Sequence, residues 1–200
     1  MGDALSTVFE ARACVASQSP NTRGGSCTRA ALALAELCYK TLLADGVEAL
    51  RAAQQKTLTP ALERIIEANT LLSGLGFESA GLAAAHAVHN GLTVAPGTHA
   101  YLHGEKVAFG VIVQLMLEKA SPAQLEETLG FCHAIGLPTT LAQIGCANPS
   151  SEMLQAIAAR ATIPGESIHN EPFPVTSKMV EAAILAADCS GGLAAAGSQD

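Results

Sequence analysis

The sequence has few aromatic and few charged residues. It contains no tryptophan, two tyrosines and five phenylalanines among 200 residues, and charged residues make up 14% against 49% hydrophobic residues. So little charge beside so many apolar side chains indicates a packed globular protein and excludes a disordered one. The length favours a single domain, because domains usually contain about 100–200 residues.

Positive charge is scarce as well. Eleven lysines and arginines face 18 aspartates and glutamates, which gives a net charge of −7. This charge repels phosphate backbones and anionic lipid, so we expect neither nucleic acid nor a membrane as partner. The longest nearly apolar stretch, residues 107–117, is shorter than the roughly 20 residues that span a bilayer. No secretory signal is visible at the N-terminus, and a cytoplasmic protein is expected.

Two kinds of local motif are missing. The sequence has no GxGxxG or Walker loop, so nothing in it predicts nucleotide binding by this chain alone. No two cysteines form a CxxC pair or lie close together in sequence, and the chain is large enough to bury a core without disulfides. We therefore interpret as buried thiols the six cysteines Cys14, Cys27, Cys38, Cys132, Cys146 and Cys189.

Alanine and leucine are abundant, and β-branched residues are sparse. This composition predicts an all-α domain. Apolar periodicity and end signals predict helices over 3–16, 28–45, 47–56, from 59 onward, 82–92, from 103, from 121, 150–162 and 176–188. The second of these should end at Asp45-Gly46, and residues 74–81 should form a glycine-rich break. We expect one helical domain over 1–190 and a flexible tail over 191–200.

Histidines are concentrated in one region of the chain. Four of the six lie between positions 86 and 103. His86 and His89 are three residues apart and share one face of a helix, and His103 begins the next helix. Two imidazoles with one carboxylate and an open position are typical of catalytic zinc. The HxxH spacing is not specific, however, and a structural role for these histidines stays open.

A resemblance makes this pattern more specific. The stretch GFESAGLAAAHAVHNGL at 76–92, followed by HGEKVAFG at 103–110, resembles the metal-binding region of bacterial glycerol dehydrogenases. These enzymes belong to the metal-dependent, iron-type group III alcohol dehydrogenases. MGDAL at 1–5, FEARA at 9–13 and TPALE at 59–63 resemble other helices of the same domain. The resemblance covers nearly the whole chain and weakens after Cys146.

The resemblance implies a fold and a set of metal ligands. The family joins an N-terminal nucleotide-binding α/β domain to a C-terminal helical bundle of the dehydroquinate-synthase-like type. This chain resembles only the helical bundle, so the α/β domain is absent from it. The family's metal ligands fall on Asp3, His86 and His103. Iron-using relatives have a histidine four residues after that aspartate, whereas this sequence has Thr7, which favours Zn²⁺.

The resemblance also implies a function. The metal ligands would bind glycerol or a small polyol, and zinc would polarise one of its hydroxyls. His89 would lie near the nicotinamide and the substrate, and Phe77 would line the pocket. NAD would then accept a hydride in the complete enzyme, but it is not expected to bind this chain alone, which should be incomplete for turnover. Glu105, two residues after His103, could contact a metal ligand and orient it. It could equally be a solvated acid at a helix start, where the helix dipole stabilises it.

Two alternatives stay open. The chain could belong to a lyase of the dehydroquinate-synthase type, although its acid ligand and the segment at 76–78 argue against this. It could also be a non-catalytic helical module that associates with other chains. A domain separated from its neighbour exposes apolar surface that promotes association, and a homo-oligomer is expected.

Overall fold

The computed structural model describes residues 1–197 of the chain, and it is helical over these residues. They contain no β-strand, only an isolated bridge between Pro20 and Ser26. This confirms the predicted all-α fold. The helices are α1 (Gly2–Ser17), α2 (Arg29–Gln54), α3 (Pro60–Glu67), α4 (Ser73–Ala80), α5 (Ala84–Leu92), α6 (His103–Leu117), α7 (Pro122–Ile135), α8 (Ser151–Ala161) and α9 (Ser177–Gly197).

Several helix starts follow from the sequence. The hydroxyls of Thr28, Thr59 and Ser121 accept hydrogen bonds from the N–H groups three residues later, at the starts of α2, α3 and α7. Each replaces one of the hydrogen bonds that the first turn of a helix lacks. Proline follows Thr59 and Ser121, where its missing N–H costs nothing. The predicted starts at these three positions are therefore confirmed.

The helix end predicted at Asp45-Gly46 is wrong. Helix α2 continues through Gly46 to Gln54, so the separate helix predicted over 47–56 is its second half. A Cβ atom at Gly46 would lie 2.8 Å from Cε2 of Phe131. The glycine therefore makes room for an aromatic ring of α7 and does not end the helix.

The glycine-rich break was predicted over 74–81, but the structure contains a break only at the last of these residues, Gly81. Gly74 lies inside α4, which follows α3 through a turn of π-helix, Ala68–Leu72. The chain leaves the helix only at Gly81, whose φ of 113° favours glycine. A side chain there would also meet Cys14, because a Cβ atom would lie 2.8 Å from its Sγ. Gly81 thus sets the sharp bend between α4 and α5.

Helix α6 lies between two apolar clusters. Its Val111 and Leu115 pack with residues of α1, α2 and α7, whereas its Phe109 and Ile112 pack with residues of α5, α8 and α9. All four side chains are buried. A helix that is apolar on every side belongs in the core. The first residue of this central helix is His103, so the core fixes one end of the candidate site.

The C-terminal helix is longer than predicted. Helix α9 runs to Gly197, so the domain boundary predicted after residue 190 does not coincide with a helix end. Residues 198–200 of the predicted tail lie outside the described residues, and its flexibility stays a prediction. Within 1–197, no single helix is long and apolar enough to cross a membrane; the segments Pro60–Ala80 and Ala84–Leu92 pass that test only as a pair bent by 100°.

Candidate metal centre

The three predicted ligands converge in space. Asp3 lies in the first turn of α1, His86 in the first turn of α5, and His103 is the first residue of α6. Each offers one ligand atom, and the three atoms lie within 4.8 Å of one another. Asp3 Oδ1 and His103 Nδ1 are 2.6 Å apart. Residues separated by 100 positions in the chain are therefore brought to one point.

Close backbone contact between two helix starts brings Asp3 and His103 together. A Cβ atom at Gly104 would lie 2.8 Å from Asp3 Oδ2 and 3.2 Å from the Asp3 backbone nitrogen. A Cβ atom at Gly2 would overlap the carbonyl group of Gly104. Since neither glycine has a side chain, α1 and α6 approach here with nothing between them.

Side chains from three other parts of the chain fix the start of α5. Four successive N–H groups at this start have no partners within the helix, and no N-cap side chain serves them. The two middle N–H groups donate to long side chains. The N–H of Ala84 donates to Glu171 Oε1 at 3.1 Å, and the N–H of Ala85 donates to Gln114 Oε1 at 3.0 Å. The outer pair, residues 83 and 86, donates to a third side chain. The first turn that carries His86 is thus held from three directions.

That third side chain is Glu10 of α1. Its Oε1 accepts the N–H groups of Ala83 at 2.8 Å and His86 at 3.1 Å, and its Oε2 lies 2.7 Å from His86 Nδ1. Burial alone would raise the pKa of Glu10, but the His86 imidazole and the two N–H donors hold this pKa below its usual value. Burial alone would lower the pKa of His86, but the Glu10 carboxylate raises it.

Glu10 is not among the residues that the sequence predicts for the site. A signal was present, because Glu10 lies seven residues after Asp3 on a helix that is otherwise mostly apolar at its buried positions. Positions seven apart are on the same helix face. An acid on a core-facing stripe requires a buried partner, and that partner is the ligand His86.

The structure places Glu105 at a helix terminus. Its Oε2 accepts the backbone N–H of Leu102 at 2.7 Å, which is a capping interaction at the start of α6. Of the two roles that the sequence left open for Glu105, this geometry favours the cap. Lys106, the next residue, has a mostly buried side chain and does not lie on a solvated face of the helix.

His89 lies against His103, with ring centroids 4.1 Å apart. Its Nδ1 lies 3.2 Å from Asn90 Oδ1. Burial, together with the neighbouring charge of His103, lowers the pKa of His89 to about 4. The imidazole is therefore neutral at physiological pH. It is beside the three ligands but is not one of the converging set.

A cavity of about 390 Å³ opens at the three ligands. Phe77, about 40% exposed, lines this cavity together with Leu82. Thr7 and Ser73 form part of its wall and are joined by a hydrogen bond of 2.9 Å between their hydroxyls. The cavity therefore has apolar and hydroxyl surfaces next to the acid and the imidazoles.

The remaining histidines lie away from the three ligands. The Nε2 atoms of His99 and His169 lie within hydrogen-bond distance of backbone carbonyl groups, and that of His133 lies 3.1 Å from the hydroxyl of Thr139. None of them belongs to the cluster of possible metal ligands found among residues 1–197.

The donor set fits a zinc ion. One carboxylate and two imidazoles are the kinds of ligand that catalytic zinc uses, with a fourth position left for water or substrate. The Asp3 and His103 side chains are about half exposed, and His86 is 18% exposed, so the ligands face the cavity. Glu10 provides the carboxylate that metal-bound histidines usually contact through their other ring nitrogen.

Comparison with known proteins relates the chain to one group of enzymes. No family model matches it. It is 57% identical over 191 residues to a glycerol dehydrogenase of Thermotoga maritima and 56% identical to one of Escherichia coli O6:H1. Each match covers 96% of this chain and 52% of the other protein. The chain therefore spans about half the length of the curated relatives it matches.

A solved structure agrees with these relatives. The crystal structure of glycerol dehydrogenase from Schizosaccharomyces pombe superposes with a TM-score of 0.96 at 37% sequence identity. The match covers 99% of this chain and 51% of that one. The helical fold described above corresponds to the C-terminal helical domain of such structures.

Proposed function

Because this chain is homologous to the glycerol dehydrogenases over about half of their length, we propose that it is the metal- and substrate-binding half of an NAD-dependent glycerol dehydrogenase. The complete enzyme would convert glycerol and NAD⁺ to dihydroxyacetone and NADH. One observation carries this proposal: an acid and two imidazoles from three helices have ligand atoms within 4.8 Å of one another beside a cavity.

In this function Asp3, His86 and His103 would hold Zn²⁺. A zinc ion bound there would act as a Lewis acid, favouring loss of the proton from a substrate hydroxyl. Binding and orientation are the tasks of the chain's own residues. Phe77 would pack against the substrate's carbon atoms and exclude water, while His89, whose ring lies against that of His103, would form a wall of the substrate site.

Hydride transfer also requires a nicotinamide close to the substrate carbon. The described residues contain no β-strand that could begin a phosphate-binding loop of the Rossmann type. We therefore propose that a separate dinucleotide-binding domain supplies NAD, and that this chain alone binds metal and polyol without turnover.

Zinc content tests this proposal directly. After dialysis, elemental analysis should find about one zinc per chain in the wild type and in His99→Ala, and much less in His86→Ala. His99 is a matched control, because it is an exposed histidine outside the three ligands, and its Nε2 lies 2.8 Å from a backbone oxygen. Absence of zinc from the wild type would refute the proposal.

An activity assay tests the second part of the proposal. The zinc-loaded chain is mixed with glycerol and NAD⁺, and NADH is followed by absorbance. We expect no turnover above that of His86→Ala. Sustained NADH production by the wild type alone would show that the chain binds the dinucleotide itself, and would refute the requirement for another domain.

Exposed apolar side chains favour association with other protein surface. Leu58 and Leu102 are more than 70% exposed, and Leu75 and Phe77 are about 40% exposed. Apolar side chains that form a contiguous patch are usually covered in an assembly, and we propose that these residues are covered in homo-oligomers of the chain. A cytoplasmic location is proposed from the sequence alone. Light scattering measures the oligomeric state, and a stable oligomer without bound zinc would favour the alternative of a non-catalytic helical module.

A further inference from the structure

The carboxylate of Glu10 is fixed at both of its oxygens. Glu10 is completely buried, and its Oε1 accepts two backbone N–H groups, those of Ala83 and His86. Its Oε2 lies 2.7 Å from His86 Nδ1. The backbone N–H groups cannot reverse their direction, so Oε1 must remain an acceptor and the carboxylate cannot rotate freely.

This arrangement decides which ring nitrogen of His86 carries the proton. An ionised carboxylate can only accept hydrogen bonds, and a neutral imidazole has one N–H donor and one nitrogen lone pair. Because Oε2 must accept, Nδ1 must donate. The lone pair is therefore on Nε2, which becomes the nitrogen that can bind a cation.

We propose that Glu10 is a positioning residue, which holds His86 in the Nδ1–H tautomer and thereby makes Nε2 a ready metal ligand. This inference rests on the proposed function, since it concerns the same metal site. Asp3 and Glu10 lie seven residues apart on α1. One helix thus supplies both an acid that would bind the metal and the acid that orients a second ligand.

The effect of Glu10 on His86 can be separated from its effect on the helix. Glu171 also accepts an N–H group at the start of α5, that of Ala84, and it is also buried. None of the hydrogen bonds described here joins Glu171 to the ring of His86. Glu171→Gln is therefore a matched control, because it changes a buried carboxyl group to an amide at the same helix start without touching the imidazole.

Glu10→Gln should reverse the tautomer. Its amide oxygen must stay on the two N–H groups, since the amide NH₂ would oppose them, so the NH₂ group is left facing His86 Nδ1. An NH₂ group donates, hence Nδ1 must accept and the imidazole proton moves to Nε2. The lone pair needed for zinc then points away from the metal side of the ring.

The decisive measurement is histidine ¹⁵N NMR at alkaline pH, with the His86 signals assigned by their loss in His86→Ala. We expect the Nδ1–H tautomer in the wild type and Glu171→Gln, and the Nε2–H tautomer in Glu10→Gln. Zinc affinity, measured by competition with a chelating dye, should fall on the order of 10–100-fold in Glu10→Gln only. Circular dichroism checks that each variant is folded.

Several results would overturn the inference. An Nε2–H tautomer in the wild type would do so even if Glu10→Gln failed to fold. So would an unchanged tautomer in a folded Glu10→Gln, or equal losses of zinc affinity in the two glutamine variants, because these would indicate a general structural role. A wild type that binds no zinc would refute the proposed function, while the tautomer comparison would still decide the role of Glu10.

Discussion

Replacing Gly110 by alanine tests how closely the two helices that carry the histidine ligands are packed. A Cβ atom at Gly110, inside α6, would lie 3.1 Å from the carbonyl carbon and 3.2 Å from the Cα of Ala85, and closer still to the Ala85 oxygen. All of these are backbone atoms of α5, so no side chain can rotate away. The methyl group would therefore force α5 and α6 apart.

Two opposing effects set the size of the change. Alanine is favoured over glycine inside a helix by about 1 kcal/mol. Forcing an extra methyl group into a packed core typically costs about 1–3 kcal/mol, and rigid backbone atoms on the far side argue for the upper end. We expect Gly110→Ala to lower the free energy of unfolding by about 1–2 kcal/mol.

Gly130→Ala is the matched control. Gly130 lies inside α7, and a Cβ atom there would have no neighbour within 4 Å. Without a clash, only the helix propensity remains, so this variant should be more stable than the wild type by about 0.5–1 kcal/mol. Urea unfolding followed by circular dichroism should therefore separate the two variants by about 1.5–3 kcal/mol. Equal stabilisation of both would refute the close packing of α5 on α6.

Two further predictions concern the site and its surroundings. Gly104→Ala should weaken zinc binding about tenfold, since its Cβ atom would lie 2.8 Å from Asp3 Oδ2; an unchanged affinity in a dye-competition assay would contradict this. Burial, with the nearby carboxylates of Glu118 and Glu10, raises the pKa of Glu171 to about 8. The folded chain then retains a proton that the unfolded chain releases near its ordinary pKa of 4.5, so this group's contribution to stability is lost as pH rises through about 8. Glu171→Gln should be more stable than the wild type at pH 9 by ~2–4 kcal/mol and similar to it at pH 4, and parallel pH curves from urea unfolding would contradict this reasoning.

The helices were predictable wherever their signals are local. Thr59 followed by Pro60 predicts the start of α3 without knowledge of any other part of the chain, and the structure contains that cap. The false end predicted at Gly46 shows the limit of such signals. A glycine is equally compatible with a helix end and with a tight contact, and only Phe131, 85 positions away, decides between them.

The candidate ligands were predictable in kind, because His86, His89 and His103 are concentrated in a short segment of a chain with few polar groups. Only the resemblance to the family identifies Asp3 as a metal ligand. No spacing rule connects an acid at one end of the chain with imidazoles some 80–100 positions later. The sequence suggests Glu105 as an acid that contacts a metal ligand, because Glu105 is near His103 along the chain. The acid in contact with a ligand is Glu10, which is near His86 only in space.

By itself, the sequence determined the helical class and the residue types available for a metal, because helix propensity, capping and ligand chemistry depend on a residue and its close neighbours. The tertiary structure alone decided which acid joins which imidazole. That choice depends on the glycine contacts between α1 and α6 and on the shared acceptors at the start of α5. Such contacts join helices whose separation along the chain carries no information about their distance in the fold.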